Sequence, residues 1–237
     1  MSRDIETRVA DDGVATLTLA RPERRNALSI KLRDEITAQL DDWAADAGVR
    51  VVVLTGSGPT FCAGFDLNEF GQRELATQIK DSSRRYHRAV WNFPKPLVAA
   101  VNGPAMGGGM DLSVLCDCRI ASTAAVFGHP EIKFGAAPLF TPLQWIVGLG
   151  NARELCLTGR RIDAAEALRI GLVTRVTEPD ELHSEAFAMA RSIIEAPQAA
   201  LEAAKRYLIS SASATFDEAF AVEHDKVFDD FLIGPAG

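Results

Sequence analysis

The chain has 237 residues, of which 47% are hydrophobic and 24% are charged. This is the composition of a globular protein, and it excludes a disordered or collagen-like chain. With 25 basic and 32 acidic residues the formal charge is −7, so a generic electrostatic attraction to nucleic acid is not expected. The length permits a single domain.

The most apolar stretch, Leu97 to Cys116, is interrupted by Pro104, by several glycines and by Asp111. It predicts a buried strand, a turn and a buried helix rather than a membrane span. The charged opening, Met1 to Asp12, lacks the apolar run of a secretory signal. The cysteines lack the paired spacing of a zinc site, and we expect reduced, buried thiols in a cytoplasmic protein. They are Cys62, Cys116, Cys118 and Cys156.

Taken in chain order, the first half alternates between strand patterns and helix patterns. Ser29 is placed to cap a helix that runs to about Ala47, where Gly48 stops it. The alternation predicts an α/β architecture with short crossovers. Five segments have the short apolar pattern of a strand: Val14 to Leu19, Val49 to Thr55, Leu97 to Val101, Arg119 to Ser122, and Ala125 to Phe127.

The second half is predominantly helical in pattern. The last of its helices opens with a capping box, Thr215-Phe-Asp-Glu218, and Pro197 must interrupt the helical run before it. We therefore expect a core over residues 1–195 and a C-terminal helical region over residues 196–237. The predicted helices are Asp163 to Ile170, Pro179 to Glu195, Pro197 to Ser210, and Thr215 to Leu232.

The segment from Lys95 to Leu112 carries the strongest chemical signal. A buried strand leads to three glycines, Gly107 to Gly109, from which a helix departs. The first amides of a helix have no internal partners, and they favour an anion or a developing oxyanion. Asp111 follows Gly108 by one helical turn, so a donor and a carboxylate can face one cavity. Tight strand-to-helix packing explains the same glycines equally well.

Two further segments carry candidate groups. In Phe61 to Leu67, Gly64 can turn the chain so that the amide of Phe65 points into a cleft, although a loop re-entering the core has the same pattern. In Phe127 to Ile132, Glu131 is a candidate acid and base. His129, beside Pro130, is interpreted as a structural or substrate-shaping residue rather than as a base. The histidines show no metal-ligand spacing, and neither a phosphate-binding Walker loop nor a nucleophile elbow is present.

Together these segments resemble the crotonase superfamily, the enoyl-CoA hydratase/isomerase family. The resemblance runs over nearly the whole chain, with several separate motifs in the same order. They are Arg21-Pro22 with Arg25-Asn26-Ala27-Leu28, Phe61 to Leu67, Lys95 to Asp111, Phe127 to Gly135, and Leu157 to Val173.

The resemblance implies a crotonase-type spiral of ββα turns with an acyl-CoA site. It also implies that the C-terminal helical region serves trimerisation, in a homotrimer or a hexamer that is a dimer of trimers. No metal or redox cofactor is implied, because the backbone amides of Phe65 and Gly108 would form an oxyanion hole around the thioester carbonyl. The substrate-binding positions it implies are Arg25, Ala27, Ala63, Asp66, Leu67, Gly107, Pro138 and Leu139.

The two carboxylates of the hydratases correspond to Asp111 and Glu131. The first position is usually glutamate, and aspartate is shorter by one C–C bond of about 1.5 Å. An Asp and Glu pair also resembles the dienoyl-CoA isomerases, which carry a further aspartate where this chain has Leu139. The stretch Ala136 to Pro142 replaces the family's glycine-rich turn, so that bulky Leu139 and Phe140 flank the expected acyl pocket.

The sequence therefore predicts an acyl-CoA enzyme that hydrates a 2-enoyl-CoA, with Glu131 as the principal acid and base and Asp111 orienting or activating water. Three alternatives stay open: an enoyl- or dienoyl-CoA double-bond isomerase, a crotonase-like hydrolase that cleaves a C–C bond, and a non-catalytic acyl-CoA-binding subunit. In each of them the partner is a small acyl-CoA molecule, without nucleic acid or membrane.

Overall fold

The computed structural model describes residues 3–138 and 141–211. Within them, the chain divides after Glu195 into two compact units. The described part of the second unit contains one helix, Gln198–Ser211. The predicted helix from Thr215 to Leu232, with its capping box, lies outside the described residues. The role of residues 196–237 in trimerisation stays a prediction.

The first unit is a mixed α/β structure built on a largely parallel sheet, as the alternating pattern predicts. Its strands are β1 (Ile5–Val9), β2 (Val14–Leu19), β3 (Val51–Gly56), β4 (Leu97–Val101), β5 (Ala105–Met106), β6 (Cys118–Ser122), β7 (Val126–Gly128), β8 (Arg161–Asp163) and β9 (Arg175–Thr177). Six of them form one sheet in the order β1-β2-β3-β4-β6-β9, in which only the β1–β2 pair is antiparallel. The others form a three-stranded sheet in the order β5-β7-β8.

The helices of the first unit are α1 (Ile30–Ala45), α2 (Leu67–Phe70), α3 (Ala76–Trp91), α4 (Gly108–Leu115), α5 (Thr141–Thr158), α6 (Ala164–Arg169) and α7 (Leu182–Ile193). The helix of the second unit is α8 (Gln198–Ser211). Ser29 caps α1 as predicted, because its side chain accepts the amide of Leu32. The helix α5 is interrupted by non-helical dihedral angles at Gly148.

Apolar residues on both faces of the large sheet explain why its central strands have continuous apolar sequences. Val52 and Leu54 of β3 belong to the larger core cluster, whereas Val51 and Val53 pack on the other face with α7. Each such side chain, when fully buried, stabilises the fold by about 1.5–3 kcal/mol relative to exposure. No helix of the described residues is long and apolar enough to cross a membrane.

The sheet places two loops at one edge. In parallel pairing the carboxyl ends of β3 and β4 lie together, so the chain leaves both strands at the same edge. After β3 the chain passes through residues 57–66 to α2, and after β4 it passes through β5 to α4. These connections pair with each other, since Cys62 forms an isolated bridge with Ala105.

Candidate active site

The amino terminus of α4 presents a backbone amide that has no partner. Gly107 adopts φ +51° and turns the chain from β5 into the helix. Its own amide donates to the carbonyl of Gly128 at 2.8 Å. The next amide, that of Gly108, has no acceptor among the described residues. It lies at the positive end of the helix, where a developing negative charge is stabilised.

A second unpaired amide belongs to Phe65. Leu28 and Phe65 form a parallel bridge, but its two bonds run from Leu28 N to Gly64 O and from Asp66 N to Leu28 O. The amide of Phe65 therefore stays outside the bridge, and it meets no acceptor within the described ranges. The two amides belong to backbone segments in contact, because a Cβ at Gly64, which has φ +94°, would lie 3.3 Å from Gly108 N.

Two carboxyl groups and one imidazole gather beside Gly107. Asp111 lies in the first turn of α4, and Glu131 lies in a short 3₁₀ helix that Pro130 opens after β7. His129 stands between them: its Nδ1 is 2.8 Å from Glu131 Oε1, and its Nε2 is 3.7 Å from Asp111 Oδ1. A Cβ at Gly107 would lie 3.0 Å from Glu131 Oε2, so the carboxylate packs against the turn. The groups that sequence reasoning chose are thus neighbours in space.

Burial and mutual charge shift the protonation of this cluster. Burial raises the pKa of Asp111 to about 7, with Glu131 adding to the shift and His129 opposing it. Burial works against a charged imidazole, but the hydrogen bond to Glu131 and the two negative charges outweigh it and raise the pKa of His129. Near neutral pH this cluster can therefore both accept and release protons.

The cluster also has the donor types of a metal site. One potential ligand atom each from Asp111, His129 and Glu131 lies within 4.8 Å of the others. The spacing of the histidines along the sequence did not indicate this group of three possible ligands. Only one of the three is a histidine, and the two carboxylates, Asp111 and Glu131, are 20 residues apart.

The family is decided by the comparison of the whole chain with known proteins. The model of the family described as "Enoyl-CoA hydratase/isomerase" matches residues 10–232. The chain belongs to this family.

Relatives and solved structures of the enoyl-CoA hydratase/isomerase family agree with that assignment. The short-chain-enoyl-CoA hydratase of Clostridium acetobutylicum is 36% identical, over 90% of this chain and 84% of that protein. The 2,3-dehydroadipyl-CoA hydratase of Escherichia coli is 37% identical, over 89% and 84%. A crystal structure of the enoyl-CoA hydratase from Bacillus anthracis superimposes with a TM-score of 0.90 at 33% identity, covering 94% of this chain and 89% of that one. The predicted α/β crotonase fold is confirmed.

Three of the predicted substrate-binding residues lie together at the loop of residues 57–66, which we call the 57–66 loop: Ala63 belongs to it, and Arg25 and Ala27 lie beside it. The amide of Ala63 donates to the carbonyl of Arg25 at 3.0 Å. Arg25 is exposed and has φ +52°, and the partly buried Ala27 follows two residues later. An exposed guanidinium beside the loop is available to a phosphate group, so the structure is compatible with the prediction for this group.

Asp66 and Leu67 differ in what surrounds them. The Asp66 carboxylate receives Arg21 Nη2 at 3.1 Å and caps α2 through the amide of Asn68. These contacts fix the loop, so the side chain already has structural partners. Leu67 is 82% exposed and is free to contact a ligand. For both residues the contact with substrate stays a prediction.

Three predicted substrate-binding positions remain, Gly107, Pro138 and Leu139. Gly107 lies against Glu131, as described above, and Pro138 is half-buried. Leu139 lies outside the described residues, and so does Phe140.

The buried Arg33, which contacts Phe65 of the 57–66 loop, was not predicted from the sequence. Its guanidinium carbon is 4.7 Å from the centroid of the Phe65 ring, and Nη1 donates to the carbonyl of Leu28 at 2.6 Å. Nε donates to Ser82 Oγ. Arg33 thus holds both sides of the bridge that leaves the Phe65 amide free. A charged residue on the apolar face of a predicted helix, close after the Ser29 cap, is the signal that could have found it.

We expect Arg33→Lys to lower the free energy of unfolding by about 1–3 kcal/mol. Lysine keeps the charge, but it cannot stack on Phe65 and donate to both Leu28 and Ser82. Urea denaturation measures the change. The control is Arg85→Lys, since Arg85 is 55% exposed and pairs with Asp34; there we expect a change within about 0.5 kcal/mol. Equal stability of the two variants would contradict a supporting role for Arg33.

Proposed function

We propose that this protein hydrates a 2-enoyl-CoA to a 3-hydroxyacyl-CoA. The observation that carries the proposal is the pair of unpaired amides, Phe65 and Gly108, on segments that adjoin two carboxyl groups, the buried Asp111 and the half-buried Glu131. The amides are suited to polarising a thioester carbonyl, and the carboxyl groups are suited to handling the two parts of a water molecule. The names of the relatives, including a short-chain-enoyl-CoA hydratase and a 2,3-dehydroadipyl-CoA hydratase, support the same reaction.

In the proposed mechanism the thioester oxygen accepts hydrogen bonds from the amides of Phe65 and Gly108. These hydrogen bonds draw electron density from the double bond of the enoyl group and make the substrate's β-carbon, Cβ, electrophilic. The Asp111 carboxylate orients a water molecule and takes one of its protons as the hydroxide oxygen bonds to Cβ. The resulting enolate takes a proton from Glu131 at Cα, which restores the thioester carbonyl. Asp111 has then gained one proton and Glu131 has lost one, and transfer of a proton from Asp111 back to Glu131, directly or through solvent, restores the pair, so that the net reaction is the addition of one water.

The groups at the edge of the site would hold the rest of the substrate. We place the CoA phosphates beside Arg25 and the loop of Ala27 and Ala63, with Leu67 against the pantetheine. Asp66 shapes that loop through its ion pair with Arg21, and Gly107 lets the acyl group approach the carboxylates. Pro138 and Leu139 would border the acyl chain.

We further propose that the reaction uses no added cofactor, because the backbone amides supply the polarisation. A homotrimer or a dimer of trimers is our proposal for the assembly, and exposed apolar side chains such as Leu157 and Leu208 support it. A cytoplasmic location is supported by the four free cysteines, since cytosolic thiols stay reduced.

The test is the loss of enoyl-thioester absorbance when pure protein is added to crotonyl-CoA, with the product identified by mass as the substrate plus one water. Hydration should proceed equally in the presence of a chelator. A shift of the double bond without gain of mass would indicate an isomerase. Release of a smaller acid or ketone from a carbonyl substrate would indicate a hydrolase. Tight binding without turnover would indicate a non-catalytic acyl-CoA-binding subunit. Each of these three results would overturn the hydratase proposal.

A further inference from the structure

His129 is the residue at the candidate site whose place the sequence did not predict. Its side chain is fully buried, and it lies directly between Asp111 and Glu131. No other basic side chain of the described residues comes within 4 Å of either carboxylate. A lone buried imidazole between two acids that meet the reacting atoms is therefore in a position to govern both of them.

The two ring nitrogens have different surroundings. Nδ1 lies 2.8 Å from Glu131 Oε1, so the ring and the carboxyl share a hydrogen bond in which a protonated Nδ1 donates. Nε2 faces Asp111 at 3.7 Å and has no hydrogen-bond partner within the described part of the chain. A buried polar atom without a partner is uncommon, and here it faces the buried Asp111 carboxyl.

We propose that His129 is a positioning residue of the reaction. Its Nδ1 holds the Glu131 carboxyl against Gly107 through the 2.8 Å contact, and its Nε2 faces the Asp111 carboxyl at 3.7 Å and keeps that carboxyl beside the ring. The inference rests on the proposed function, because it assigns roles that Asp111 and Glu131 have only if they handle water and the Cα proton. It goes beyond that function by naming the side chain that couples the two acids.

The other titratable groups around the cluster stay neutral near pH 7. Burial raises the pKa of Cys62 to about 12 and that of Cys156 to about 11. It also raises the pKa of the Tyr86 hydroxyl well above its ordinary value. A pH dependence of the cluster near neutrality therefore belongs to Asp111 and His129.

Two substitutions separate the roles of the two nitrogens. The amide nitrogen of asparagine can take the place of Nδ1, whereas that of glutamine reaches the place of Nε2. We expect His129→Asn to keep the hydrogen bond to Glu131 and to lower kcat only about three- to fivefold on the alkaline plateau of the pH profile. We expect His129→Gln to lose that hydrogen bond and to lower kcat about 10²-fold, with KM little changed. In His129→Asn the acidic limb of kcat should also move to higher pH, because Asp111 loses its neighbouring cation.

Equal losses in both variants, with an unchanged pH profile, would reduce His129 to a packing residue and overturn the proposal. A second measurement does not depend on turnover: the ring of His129 is titrated by NMR, its resonance identified by its absence in His129→Asn. We expect the midpoint to fall in Asp111→Asn, since a negative charge near Nε2 is removed. An unmoved midpoint would overturn the proposal whether or not crotonyl-CoA is hydrated, and a moved midpoint without hydration would locate the failure in the proposed function.

Discussion

Replacing Glu131 by glutamine should lower kcat for the hydration of crotonyl-CoA by about 10³-fold. Glutamine preserves the size of the side chain, but it has no proton to deliver to Cα at neutral pH. The hydrogen bond with His129 Nδ1 can persist through the amide oxygen, so the loss is chemical rather than structural. The binding of a saturated acyl-CoA, which we propose to use the backbone amides and the exposed Arg25, should change little.

The measurement is the rate of absorbance loss at saturating crotonyl-CoA, together with the Kd of butyryl-CoA from calorimetry. Glu178→Gln is the matched control, because Glu178 is exposed and its carboxylate only accepts a hydrogen bond from Thr123. A Glu131→Gln variant that hydrates at a rate within about tenfold of the wild type would remove Glu131 from the chemistry.

Replacing Asp111 by asparagine should reduce hydration by about 10²–10³-fold and should spare double-bond isomerisation in good part. Water must lose a proton to become the nucleophile, whereas isomerisation only moves a proton between carbons and can use Glu131 alone. Because the pKa of Asp111 is about 7, its carboxylate fraction falls below that pH, and wild-type hydration should decline with it. The asparagine variant should lack this decline.

The same substitution has a predictable effect on stability. The folded protein holds the Asp111 proton more tightly than the unfolded chain, so stability associated with this group is present below about pH 4 and is lost as pH rises through about 7. At pH 8 the asparagine variant should therefore be at least as stable as the wild type in urea. Asp81→Asn, on the exposed face of α3, serves as control. Intact hydration in Asp111→Asn would show that Asp111 does not activate water.

The strands and helices that the sequence predicted are those whose signals are local. Ser29 and the glycine, proline and polar residues that end the predicted strands mark element ends within a few residues. The strand β1 was not predicted because only Ile5 of its five residues is buried, and pairing with β2 defines it. The helix α3 was not predicted either. Its four buried side chains, Ile79, Ser82, Tyr86 and Val90, recur at helical spacing on one face, but the helix is strongly polar elsewhere and that face includes a serine.

At the candidate site, too, the features with a local sequence pattern were predictable and those that depend on long-range packing were not. Gly107 and the turn into α4 were predictable, because a glycine cluster between a strand and a helix is a local pattern. The contact of His129 with Asp111 was not predictable, because the two residues are 18 positions apart in the sequence. It depends on how β7 and the 3₁₀ helix that contains Glu131 pack against α4. Arg33 likewise acquires its role only when Phe65 folds back over it.

The two unpaired amides of Phe65 and Gly108 have a consequence for how this protein can change over generations. A backbone N–H does not depend on which side chain the codon specifies, because nineteen of the twenty residue types carry it and only proline lacks it. Inheritance can therefore alter Asp111, His129 or Glu131 one codon at a time while the two unpaired amides persist in the backbone. A lineage that carries this backbone can exchange one acid or base for another and still keep both donors that we propose for the thioester oxygen.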